Sequence, residues 1–157
     1  MATPREKFTA ALLALKELQD QGIVVFQSVE FPNRIYREIL LKNGFIKEVL
    51  KGWYISSDPG ADFGDTTTWY SNYWDFCVKF LEFKYKDAWC ISADQSLKLH
   101  AGDWSVPNQL LVRSPLGNNN PTHLPNNTSL FKYQSELPYQ NICTIEKDCE
   151  FIHLQAP

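Results

Sequence analysis

The sequence predicts an α+β protein: a winged helix-turn-helix over residues 1–56, a linker at 57–65, and a small mixed α/β domain over 66–157 with one long aromatic-rich helix. Three observations lead there. Residues 33–55 change from a helical to a hairpin period at Asn43-Gly44. Residues 66–87 are aromatic around most of a helical circumference. The rest alternates short apolar runs with turn-forming residues.

Thr3-Pro4-Arg5-Glu6 reads as a helix start, with Thr as N-cap, Pro at the first helical position and Glu completing a capping box. Phe8, Ala11, Leu12, Leu15 and Leu18 continue it at three- and four-residue spacing, and Gly22 closes it. Residues 23–26 suit a short strand and residues 28–31 one helical turn before Pro32. Asn33 is placed to cap the next helix. There Ile35, Tyr36, Ile39 and Leu40 fall on one side and Arg34, Arg37, Glu38 and Leu41 on the other. Residues 45–50 read as a strand, Lys51-Gly52 as a turn and residues 53–55 as the returning strand. A partly basic helix followed by a basic ribbon is the layout in which the helix enters the DNA major groove and the wing touches the flanking backbone. An ordinary helix-hairpin with solvated arginines has the same pattern.

The stretch 56–65 is rich in Asp, Gly and Pro, as a linker or surface loop would be. In the following helix Trp69, Tyr73, Phe76, Cys77 and Phe80 share one face, widened by Tyr70, Trp74 and Leu81. An apolar arc that broad predicts burial on most sides; an aromatic ligand box is the competing reading. Residues 89–91 suit a buried strand. Ser92-Ala93-Asp94-Gln95 suits a second capping box, opening a short helix that ends before Gly102. Residues 109–113 suit a strand, 115–127 (PLGNNNPTHLPNN) a long Asn- and Pro-rich loop, and 142–145 and 151–154 two strands joined by an acidic turn.

The chain is 44% hydrophobic and 14% aromatic, enough for packed cores rather than disorder. No apolar run nears the roughly 18 residues of a membrane span, and the polar N-terminus has no signal-peptide core. A cytoplasmic protein without membrane association is expected. Residues 1–52 hold eight Lys/Arg against six Asp/Glu, residues 53–157 seven against twelve. The basic excess thus sits in the segment that resembles a DNA reader, and its small size favours weak or dimer-dependent binding.

Cys77, Cys90, Cys143 and Cys149 form no C-x-x-C pair, which favours reduced structural thiols over a zinc site or a disulfide. His100 sits at a helix end, where imidazolium would meet terminal carbonyls. His123 lies in the polar loop and His153 alternates with apolar residues in a strand. There is no nucleophile elbow, phosphate loop, dinucleotide fingerprint or H-E-x-x-H. No catalysis, metal or cofactor is expected.

Three segments carry a family resemblance: KNGFIKEVLKGWYI at 42–55, WCISADQSLKLHAGDWSVPNQLLVRSP at 89–115 and LPNNTSLF at 124–131. Together they resemble the N-terminal region that precedes the catalytic domain in a group of bacterial Fic proteins. The first is also similar to the winged-helix end of AbiEi-type antitoxins, and S-A-x-Q-S-L-x-L-H in the second to the domain that follows there. The catalytic H-x-F-x-x-G-N-G of Fic enzymes is absent; Leu99-His100-Ala101-Gly102 lacks its Phe and its G-N-G. The resemblance implies a non-catalytic regulatory region, either part of a longer Fic protein or encoded independently. It implies operator binding and transcriptional autorepression as a homodimer, through Asn33, Arg34, Arg37 and Lys42 on the helix and Lys47 and Lys51 on the ribbon. Glu38, on the same face, opposes phosphate. The alternative is a protein-binding module or stand-alone inhibitor that docks on a toxin, a nuclease or a phage-defence complex. Its contact surface would be the acidic second half and the loop bearing Asn118, Asn119, Asn120 and His123.

Overall fold

A computed structural model describes residues 3–60, 64–137, 142–147 and 150–155, with side chains for 3–60 and 64–137. By its internal contacts the chain falls into two units, Met1–Phe76 and Cys77–Pro157.

The first unit opens with α1, Pro4–Asp20. The Thr3 hydroxyl accepts from the Glu6 N–H and the Glu6 carboxylate accepts from the Thr3 N–H, the reciprocal cap expected from T-x-x-E. After β1 (Val25–Gln27) a single 3-10 turn, Ser28–Glu30, leads into α2, Arg34–Lys42. At the end of α2, Gly44 takes φ +75°, open to glycine at no steric cost. The Gly44 and Phe45 N–H groups then close back on the Leu41 and Leu40 carbonyls. α1 and a later helix end by the same pair of bonds, at Gly22 and Gly102. The hairpin of β2 (Ile46–Leu50) and β3 (Trp53–Ser56) follows. β1 pairs antiparallel with β3, so the sheet runs β1-β3-β2 with the hairpin's outer strand at one edge.

The core of this unit joins Ala11 and Leu15 of α1, Phe26, Phe31, Leu40, Ile46 and Tyr54. Phe26 and Leu40 are fully buried, each contributing about 1.5–3 kcal/mol by removal from water. α2 sits rotated from its expected phase. Ile35, expected inward, is 52% exposed, while Leu41, expected outward, packs against the core. The inward face is made by Tyr36, Ile39, Leu40 and Leu41, an apolar stripe one position further round the helix than the one that includes Ile35.

Helix α3, Thr67–Tyr85, carries the division between the units. In its first half Trp69 and Phe76 pack edge-on, as do Phe76 and Trp53 of β3 at 5.9 Å, which ties that half to the first unit. Trp69, Tyr73, Phe76, Cys77, Phe80 and Leu81 are all buried, the face expected from their spacing, whereas Tyr70 is 43% exposed.

The second unit holds β4 (Cys90–Ile91), α4 (Ala93–His100), β5 (Gln109–Ser114), β6 (Asn120–Leu124) and β7 (Thr128–Gln134). Ser92 caps α4 through the Gln95 N–H. The sheet order is β4-β5-β7-β6, with β5 parallel to β7 and the other pairs antiparallel. The loop expected at 115–127 therefore holds a strand, β6, in its middle, with turns on either side. Its asparagines serve the turns: Asn119, Asn126 and Asn127 all take positive φ. Asn126 and Asn127 are the central residues of a turn closed by the Thr128 N–H on the Pro125 carbonyl, the pattern that suits a hairpin's twist. Pro121 is tolerated because β6 is an edge strand. Gly117 lies where a Cβ would come within 2.6 Å of the Tyr133 backbone. Lys132, on β7, is only 2% exposed and donates from Nζ to the Thr122 hydroxyl. β8 (Ile142–Lys147) and β9 (Glu150–Gln155) pair antiparallel. The side chains of Cys143, Cys149 and His153, and part of the expected acidic turn, lie outside the described residues. The architecture is mixed α+β: four α-helices, two sheets and this ribbon among the described residues. No helix described is long and apolar enough to cross a membrane.

Candidate nucleic-acid interface

The residues singled out on α2 and the hairpin play unequal parts. Asn33 serves as the N-cap: its Oδ1 accepts from the Tyr36 N–H at 2.9 Å, fixing the helix start. Arg37, expected on the outer face, is built into the fold instead. Its guanidinium lies over the Tyr54 ring at 5.7 Å and reaches the Ser28 carbonyl at 3.4 Å. A helix turned to bury Leu41 carries its neighbour at position 37 toward β3, where an aromatic face receives the cation. Tyr54 is held in turn: burial, and then Glu48, raise its phenol pKa, while Arg37 opposes them. The Glu48 carboxylate also accepts from the Gly52 N–H at the hairpin turn, and the Gly52 carbonyl accepts from the Ser28 N–H at 2.9 Å. Arg37, Tyr54, Glu48 and the turn therefore hold α2 against the hairpin.

The residues that do face outward from α2 are Arg34, Ile35, Glu38 and Lys42. Arg34 Nε donates to Glu38 Oε1 at 2.6 Å, with side-chain exposures of 79% and 54%. Such an exposed pair one turn apart is worth only a few tenths of a kcal/mol and opens easily. Lys47 and Lys51 are exposed on the hairpin. Lys47 has Asp65 within electrostatic reach, although the Asp65 carboxyl is held low mainly by its bonds to Thr67. The exposed charges of α2 and the hairpin are thus four cations, Arg34, Lys42, Lys47 and Lys51, and two carboxylates, Glu38 and Glu48, with Ile35 exposed next to Arg34. Ile35 was missed in the sequence because its spacing matched the apolar face; only the competing claim of Leu41 could have shown it outward.

The second candidate surface is only partly a loop: Asn118 and Asn119 lie in the connection before β6, and Asn120 and His123 on the strand. Asn118 Oδ1 accepts from the Asn120 N–H and Asn119 Oδ1 from the Gln134 N–H, so both amides organise turns. Asn120 and His123 are exposed residues of edge strand β6. His100 is exposed in the last turn of α4. Cys77 and Cys90 are buried, and burial raises the Cys90 pKa against the opposing pull of Arg113. Among the described residues no group of three or more His, Cys, Asp or Glu stands in metal-binding proximity. No protein-family model, curated protein or solved structure matches the chain.

Proposed function

We propose that the N-terminal unit is a winged helix that binds duplex DNA and represses transcription, in the manner of the AbiEi-type antitoxins that its wing segment resembles. The observation that carries this reading is the order α1, β1, short turn, α2, hairpin with a β1-β3-β2 sheet, with Arg34 and Lys42 exposed on α2 and Lys47 and Lys51 exposed on the hairpin. α2 would lie in the major groove and the two wing lysines would neutralise flanking phosphates. Four cations without a strongly basic surround support modest affinity, which a homodimer on two half-sites would raise. Catalysis has no part in this reading.

Fluorescence anisotropy of the full chain against duplex from its own upstream region tests it. Arg34→Glu with Lys51→Glu should lower affinity by more than tenfold; equal binding by wild type and double variant would refute it. A second reading, docking on a toxin, nuclease or defence protein, is favoured by Phe83, Leu97 and Leu116 in the second unit, which are 57%, 65% and 66% exposed. Co-purification that survives nuclease treatment and Arg34→Glu would select it.

A further inference from the structure

The bond between Arg34 and Glu38 sits awkwardly in a surface that only tracks phosphate. A carboxylate beside the leading arginine repels the DNA backbone, and an apolar Ile35 beside both gains nothing from phosphate. The three groups suit base edges better. The bond is made through Arg34 Nε and one Glu38 oxygen, so whenever it is closed it orients the guanidinium by its inner edge. The two terminal nitrogens are the pair that matches guanine O6 and N7, whereas a carboxylate oxygen accepts from cytosine N4 and an exposed aliphatic group covers the thymine methyl. Arg34 and Ile35 stand in the first turn of α2 and Glu38 one turn later, where a recognition helix meets bases.

We infer that α2 reads a G·C base pair next to a thymine, with Arg34 on the guanine, Glu38 both bracing Arg34 and accepting from cytosine, and Ile35 on the thymine 5-methyl. This rests on the DNA-binding reading above and adds a chemical preference to it. Glu38 also acts as a filter: on random DNA it weakens binding by repulsion, and on the right pair it is satisfied.

The test selects duplexes from a random-sequence library with the full chain, then measures affinity for selected and random duplexes. The selected sites should share a G·C pair beside a thymine. Replacing that thymine by uracil, which lacks only the methyl, should weaken wild type about fivefold and leave Ile35→Ala unchanged. Glu38→Ala should bind random duplex more tightly than wild type while its preference for the selected site drops about tenfold, the size of one good base contact. Retention of duplex with no shared G·C pair, indifference of wild type to uracil, or a Glu38→Ala variant weakened equally on both duplexes would overturn the inference and leave DNA binding standing. If wild type retains no duplex at low salt, the DNA-binding reading falls as well.

Discussion

The two units bury different chemistry. Every residue described as buried between positions 3 and 76 is apolar or aromatic, whereas positions 77–137 also bury Gln95, Ser96, Ser114, Thr128, Ser129 and Lys132. In the first unit, helix caps and hydrophobic periodicity place most elements, and fewer polar atoms are buried, Ser57 Oγ being one without a hydrogen-bond partner. In the second, buried donors and acceptors must find partners, and some do not. Tyr85 Oη, Gln95 Nε2 and Ser96 Oγ have no hydrogen-bond partner, each a cost of about 1–3 kcal/mol against an apolar replacement. The contrast marks the first unit as the firmer platform for a binding face.

Four substitutions break or sharpen that contrast. The largest effect is expected from Phe26→Ala, which removes a fully buried ring packed 5.6 Å from Phe31. It should cost about 3–5 kcal/mol in a denaturant titration; a loss under about 1 kcal/mol would mean the first core is not as described. Gly117→Ala should cost about 1–3 kcal/mol, because the added carbon meets Tyr133 backbone that cannot swing aside as a side chain would.

Lys132→Met should act in the opposite direction, raising stability by roughly 1–3 kcal/mol at neutral pH, since it replaces a buried ammonium with an apolar chain of similar length. Burial, with Lys84 adding to it, holds the Lys132 pKa below the ordinary lysine value. Between that lowered pKa and the ordinary value the unfolded chain binds more protons than the folded one, so wild-type stability should rise with pH across that window. The Met variant should lose this contribution to the slope. A destabilised Met variant would show that the bond to Thr122 outweighs burial of the charge. The smallest effect belongs to Asn33→Ala, about 1 kcal/mol from the lost cap, with Asn33→Ser close to wild type.

Much of the first unit was legible because its signals are local. T-P-R-E, the Asn33 cap, Gly44 and the two-residue turn Lys51-Gly52 each constrain only their neighbours, and each appears where its chemistry places it. The phase of α2 was not legible. Nine residues give too few turns to separate two overlapping apolar faces, and the choice is made by Leu41 and the Tyr54 ring, which are tertiary partners. That choice moved Arg37 from the surface into the fold and Ile35 out of it. In the second unit the aromatic face of α3 was plain from spacing, whereas β6 was not. Asn-Pro-Thr-His-Leu lacks strand-forming character except at Thr122, and it is recruited by pairing with β7 between two asparagine turns. Lys132 reads as a surface residue in any pattern, and its burial is known only from the sheet around it.

Salt dependence of duplex binding by the full chain is the most direct test of a cationic surface on α2 and the hairpin. With Lys42, Lys47 and Lys51 each neutralising a phosphate, log K against log salt should fall with a slope of about −2.7 per protomer, and Lys51→Ala should reduce that slope by about one. A slope near zero, or one that Lys51→Ala leaves unchanged, would contradict the account.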